Sequence, residues 1–522
     1  MWRSQRSRTA VIGAAVAVFV VCCVLPLAYL LATAIGSNAE YGAVLLDSRQ
    51  RGLLYNTALL GTGTALLATA IGTPLGIALA RVPLRRKSFL RLLAAAPVLL
   101  PPYVAALAWV YLGSRRGLLS RFTAGDVVSE WTYSLPAAIL ILSLVFYPVS
   151  MLATEVAMRR NEGRLEEAAL MVARPGTVLW RISVPMVAPS ILAGALVIFV
   201  LAVSEFGVPG LLQVRVYTTE VFTAFAARYD FSRAILLAVP LLVLSVVVAA
   251  TAAIVLGDRL VSTPRSAGAS PVTFDSWRQP ATGAMFLIIA AAVGVPAVVL
   301  VREAIGARSL TAALSGSGEA IANSLILAAV GATTVVAVAV WLGYAQARAG
   351  RRSRLAAQIL FVVLFAVPST IVGVGLIGLW NRPATAAIYG TDAMFLLAYV
   401  ARFIPVAALI LAASTAAVPV AHEEAAAVSG AGWLQTMRRI VLPQMQLGIA
   451  SAWAIAFVLA FGELGVSILV APPGEATLPI RIYTIIANTP PSQMAVLALL
   501  QSLVIFTALA ALGAAASFRE AW

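Results

Sequence analysis

The sequence predicts an all-α polytopic membrane protein, with about twelve transmembrane helices set out as two parallel six-helix repeats. Three observations carry this. Of 522 residues, 61% are hydrophobic and only 11% charged, with a mean hydropathy of +0.96, whereas soluble domains carry roughly a quarter charged residues. Apolar runs of about 20 residues, the length needed to cross a bilayer, recur along the whole chain. Landmarks of the first half also return in the second at nearly constant spacing.

The apolar runs place the first-half spans near 10–35, 53–80, 92–112, 134–154, 187–205 and 234–256. Those of the second half fall near 281–301, 321–346, 355–380, 392–418, 446–470 and 493–516. The first run follows Arg3, Arg6 and Arg8 but is too long for a signal-peptide core, so it reads as a retained span. An even span number puts both termini on one side. That side holds 23 of the 36 Lys and Arg residues, which predicts cytoplasmic N- and C-termini. Residues 257–280 are polar and rich in Ser, Pro and Gly. They read as a cytoplasmic linker between the halves 1–256 and 281–522.

The repeat can be checked by subtraction. Asn56 and Asn323, Arg81 and Arg348, and Pro101 and Pro368 are each 267 residues apart. Pro148/Pro405, Glu166/Glu423 and Glu167/Glu424 are 257 apart, while Ile182/Ile440, Pro185/Pro443 and Glu205/Glu463 are 258 apart. Drift confined to loops is what duplicated helical halves show. Both copies run in the same direction with an even number of spans, so the repeats are parallel.

The net charge of +15 is almost entirely arginine, Lys87 being the only lysine, and it clusters in short segments between apolar runs. That is topology information and not a nucleic-acid stripe. Cys22 and Cys23 are adjacent in the first span, which excludes a disulfide framework and leaves them as small hydrophobes. His422 is the only histidine, so no metal site is expected.

Two loops, 155–186 and 419–445, carry the most information. Each contains an acidic, Ala-rich helix start, a break, and an amphipathic stretch ending at proline: EEAALMVARPGTVLWRISVP from Glu166 and EEAAAVSGAGWLQTMRRIVLP from Glu423. These loops resemble the EAA motif of type I ABC importer permeases. The second copy fits closely through Glu424, Ala425, Ala426, Gly430, Ile440, Leu442 and Pro443. The first keeps Glu167, Ala168, Ala169, Ile182 and Pro185, is one residue shorter, and has Val172 or Ala173 where glycine is expected.

The resemblance covers essentially the whole chain and implies the type I permease fold, with Glu166, Glu167, Ala168, Ala169, Glu423, Glu424, Ala425, Ala426 and Gly430 as ATPase-coupling residues. It also implies an extracytoplasmic substrate-binding protein and residence in a bacterial inner membrane. The strings LPPYVAALAW, VPSTIVGVGLIGLW and FGELGVSILVAPPGEATLPIRIY resemble the fused permeases of the ferric-iron group, so ferric iron is the expected substrate. Related permeases serve thiamine, phosphonates, polyamines and sulfate. A phosphate-binding P-loop needs Gly-Lys-Ser/Thr, and Lys87 stands between Arg86 and Ser88. ATP and Mg are therefore expected on two copies of a separate ATPase subunit, and no cofactor on this chain. A secondary transporter of two six-helix halves is the rival reading; the paired EAA loops argue against it.

Glu205, Glu463 and Arg402 are ionisable residues within or near the ends of spans, where charge is expensive and faces a cavity or a partner. Two readings are open: the acids cap helix ends or pair with Arg402, or they line the translocation path. Asn56 and Asn323, also candidates for the path, are better placed for interhelical hydrogen bonds. Pro97, Pro101, Pro102 and Pro368 predict kinked helices.

Overall fold

The computed structural model describes every residue except 1, 37–46, 116, 118, 120–124, 161–163, 257–273, 306–308, 487 and 521–522. Among the described residues, nine helices are long and apolar enough to cross a membrane, and three bent pairs raise the number to twelve. The first half contains α1 (Arg6–Gly36), α2 (Ser48–Arg81), α3 (Lys87–Leu99 with Pro102–Gly113), α4 (Leu135–Arg159), α5 (Pro175–Ser204) and α6 (Phe231–Val255). The second contains α7 (Asp275–Ala304), α8 (Gly318–Ala347), α9 (Arg351–Ala366 with Ser369–Trp380), α10 (Ala393–Ala416), α11 (Trp433–Gln444 with Gln446–Phe461) and α12 (Pro491–Ala511). Hydrocarbon offers the backbone no partners, so each apolar run satisfies its own N–H and C=O groups as a helix.

The spans expected at 92–112 and 355–380 contain the prolines that predict kinks, and the structure breaks each into two helices. The pairs are bent by 88° and 92°. The cause is local. Leu100 and Val367, each preceding a proline, are extended at ψ 141° and 126°, because a proline ring excludes the helical conformation from the residue before it. Span α5 starts at Pro175 and not near 187, since the second arm of the first loop runs straight into the membrane helix. Span α11 ends at Phe461, short of 470, and Glu463 sits in the break before the short helix Ser467–Val470. Span α7 begins at Asp275, inside the segment expected as linker, of which 257–273 lie outside the described residues.

Four wide π turns share one cause. Val20–Val24, Leu179–Ser183, Ala290–Gly294 and Met437–Val441 each end two residues before a proline: Pro26, Pro185, Pro296 and Pro443. The proline ring crowds the carbonyl four residues back and supplies no N–H, and a turn widened by one residue absorbs both defects. The loop prolines Pro185 and Pro443 thus follow widened turns at the entry to α5 and within α11.

The first span of each half crosses to the other half. On α1, the Phe19 ring meets Phe361 edge-on at 5.4 Å and Cys23 Sγ donates to the Val400 carbonyl at 3.7 Å. The Pro26 carbonyl packs so closely on Gly375 that a Cβ there would lie 2.7 Å from its oxygen. Both cysteines are buried in this contact. On α7, the Phe274 N–H just ahead of the helix donates to the Arg81 carbonyl at 3.0 Å, and Val295–Ala304 packs on α3 and α12. Within each half, α2 and α4, or α8 and α10, approach backbone to backbone. A Cβ on Gly72 or Gly76 would overlap the carbonyl oxygen of Tyr147 or Met151, and one on Gly343 would fall 2.8 Å from Ala412 N. Small residues let helices make the close contact that replaces hydrophobic drive in lipid.

Candidate functional sites: a central cavity and two coupling corners

A cavity of about 250 Å³ lies between the halves, where the bends of α3 and α9 meet the ends of α5 and α11. Its lining includes Pro101, Tyr103, Glu205, Ser369, Arg402 and Glu463. The bends leave carbonyls without helical partners, and two of these are met from neighbouring helices. Arg402 Nη1 donates to the Val367 carbonyl at 3.1 Å, and Ser204 Oγ, from the first half, donates to the Ala366 carbonyl at 3.1 Å. Arg402 Nε also donates to Glu463 Oε2 at 3.0 Å, in a pair nearly closed to solvent. Glu463 Oε1 accepts from Val466 N–H at 3.0 Å, and Glu205 Oε1 accepts from Gly207 N–H at 2.9 Å.

The capping and pairing reading of these acids is what the hydrogen bonds show, and it places them beside one cavity. Glu205 and Glu463 cap backbone breaks, Glu463 pairs with Arg402, and all three side chains face the same cavity. Asn56 and Asn323 lie elsewhere. Asn56 Nδ2 donates to the Arg215 carbonyl at 3.1 Å and Asn323 Nδ2 to Glu475 Oε2 at 2.8 Å, joining α2 and α8 to the segments beyond α5 and α11.

The two Glu-Ala-Ala loops form corners at the opposite end of the spans. Helix Arg164–Leu170 carries the first Glu doublet and Val420–Val428 the second. In each doublet the two carboxylates part company. Glu166 is fully buried and accepts from Arg81 Nη2 at 2.7 Å, while Glu167 is exposed. Glu423 accepts from Arg348 Nε and from Tyr344 Oη, both at 2.8 Å, while Glu424 is exposed. Ala168 and Ala425 are exposed, Ala169 is half-buried and Ala426 buried. Met171 and Val428, at matching positions, are 85% and 90% exposed, which leaves an apolar side chain uncovered on each loop. Beside the second helix runs a groove of about 440 Å³ lined by His422, Ala425, Ser429, Thr436 and Arg439.

The turns of the two loops differ. Gly430 adopts φ +81°, the left-handed conformation that ends a helix on glycine. The first loop turns through Met171–Ala173 with no left-handed residue among those described, and restarts at Pro175. Sequence reasoning marks Arg81 and Arg348 only as repeat landmarks and gives them no role. Their recurrence alongside the Glu doublets is the signal that could have found them.

Two homologous six-span halves, a cavity between them and an acidic, Ala-rich corner loop in each define a multi-pass membrane permease. Residues 72–261 and 336–517 match the family of binding-protein-dependent transport system inner membrane components, and the chain belongs to that family. It is thus a permease subunit of a binding-protein-dependent importer, fused from two copies of the family's domain. It is 26% identical over 470 residues to the Fe(3+)-transport system permease protein FbpB 2 of Haemophilus influenzae, covering 88% of this chain and 89% of that one. The ferric transport system permease protein FbpB of Actinobacillus pleuropneumoniae is 21% identical over 435 residues, covering 78% and 63%. Similarity to the molybdenum transport permease ModB of Mycobacterium tuberculosis, 32% over 168 residues, spans 32% of this chain and 63% of that one.

Proposed function

We propose that this chain forms the ferric-iron path of an ATP-driven importer of the bacterial inner membrane, with both termini cytoplasmic. The observation that carries the iron reading is the charge of the central cavity: two carboxyl groups, Glu205 and Glu463, against one guanidinium, Arg402. Arg402 is offset by its partner Glu463, so the lining carries no excess positive charge, which admits a cation or cationic chelate and opposes an oxyanion such as molybdate. Likeness to ferric permeases over most of the chain agrees with it. Among the described residues no three His, Cys, Asp or Glu side chains converge.

ATP and Mg belong to two copies of a separate ATPase subunit, one beneath each coupling loop, reached by Glu167, Glu424 and the alanines beside them. A binding protein delivers substrate at the outer face. The test is reconstitution of the chain with its ATPase subunits and binding protein in proteoliposomes, offering labelled ferric iron, molybdate or 2-aminoethylphosphonate in turn. ATP-dependent iron uptake is the expected result. Molybdate or phosphonate uptake without iron uptake would overturn it.

A further inference from the structure

We infer that Glu166 and Glu423 are positioning residues: each latches its coupling helix to the inner end of the second span of its half through Arg81 or Arg348, leaving the neighbouring Glu to meet the ATPase. This rests on the reading of the two loops as ATPase-docking elements and goes beyond it by dividing each Glu doublet between two tasks.

The arrangement is similar in the two halves. Arg81 closes α2, and its Nη2 reaches both Glu166 Oε1 at 2.7 Å and the Met158 carbonyl at 3.2 Å, near the end of α4. Arg348 follows α8 and reaches both Glu423 and, at 2.9 Å, the Val418 carbonyl just beyond α10. One guanidinium therefore holds three segments: the second span, the end of the fourth, and the coupling helix.

Side-chain exposures of 3% and 0% close Arg81 and Glu166 to an approaching subunit, and exposures of 11% and 16% leave Arg348 and Glu423 half-buried. A buried ion pair carries a desolvation penalty that often offsets its Coulombic gain, so the fully buried first pair, matched by a half-buried one at the equivalent positions, points to geometry over stability. The spans so joined are those already packed backbone to backbone at Gly76 and Gly343. A displacement of either coupling helix is thereby delivered to a rigid two-helix unit.

The second latch has an extra member. Tyr344 Oη donates to Glu423 Oε2 at 2.8 Å and accepts from Trp433 Nε1 at 3.3 Å, tying both arms of that loop together. The matching position of the first half is Ile77, which has no hydroxyl.

The test uses the complete transporter, with ATPase subunits and binding protein, in proteoliposomes. Two quantities are read: ATPase subunit retained on co-purification, and substrate imported per ATP hydrolysed. E166Q and E423Q are expected to retain the subunit and to import about tenfold less per ATP, whereas E167Q and E424Q retain less of the subunit, E424Q the less of the two. In a double-mutant cycle R348Q with E423Q is expected to fall well short of the sum of the two single losses, while R348Q with E424Q is additive.

Y344F keeps every charge and is expected to lower import per ATP about threefold, which decides the matter if E423Q does not fold. Loss of the subunit in E166Q and E423Q, or unchanged import per ATP in them or in Y344F, overturns the latch. If E167Q and E424Q also leave both quantities unchanged, the docking role of the loops falls with it, an outcome separate from failure of the latch alone.

Discussion

Arg402 Nε lies 3.0 Å from Glu463 Oε2, and the position matching Arg402 in the first half, 257 residues earlier, is Val145. The cavity between the halves is therefore electrostatically lopsided although its walls are duplicated. Glu463 is held by a guanidinium and a backbone N–H, Glu205 by the N–H of Gly207. Three different substitutions should separate the consequences. Arg402→Met strands Glu463 and uncaps the Val367 carbonyl, and should destabilise the protein by about 3 kcal/mol, read as a lowered unfolding temperature in detergent. Glu463→Gln should impair uptake while leaving membrane insertion and ATPase-subunit assembly intact. Glu205→Gln keeps an oxygen for Gly207 N–H, so it should reduce iron uptake with little change in unfolding temperature; normal uptake by both Gln variants would remove these acids from the path.

The coupling loops should not be equivalent. Gly430 sits at φ +81° with open space where a Cβ would project, so Gly430→Ala meets only backbone strain, about 1 kcal/mol. That strain acts on the turn that aims the second coupling helix. Gly430→Ala and Glu424→Gln are expected to lower ATP-driven uptake several-fold more than Val172→Ala and Glu167→Gln. Equal or reversed defects would show that the asymmetry of the turns has no functional weight.

Close backbone packing predicts intolerance at Gly76 and Gly343. Alanine at either already requires a shift, since its Cβ would overlap Met151 O or stand 2.8 Å from Ala412 N. Leucine at either should separate the two spans and abolish folded protein, whereas leucine at Gly13, with open space around it, should be accepted. Yield of monodisperse protein in detergent measures both.

Exchange of α1 and α7 predicts that neither half is stable alone. Residues 1–256 expressed without 274–522 lack the surface on α9 and α10 that buries Phe19, Cys23 and Pro26. The halves expressed together as separate chains should co-purify and support uptake. Independent folding of 1–256 to a protease-resistant unit would contradict this.

Much of this protein was set by the order of its residues. Bilayer thickness and the need for self-satisfied backbone make apolar run length a direct reading of span number, and duplication makes the halves visible through pairs such as Asn56/Asn323 and Glu205/Glu463. The Glu-Ala-Ala loops are legible for the same reason: they appear twice, in register. Pro101 and Pro368 announce bends because a proline acts on its immediate neighbour, though the angles of 88° and 92° depend on what each arm packs against.

Only the tertiary structure decided which Glu of each doublet turns inward, that Arg402 is committed to Glu463 and the Val367 carbonyl, and that the first span of each half belongs spatially to the other. The physical reason is common to all three. A partner contributed from 61, 85 or 377 residues away leaves no periodicity or composition in the local sequence, and a charge buried with such a partner reads there like one left in water.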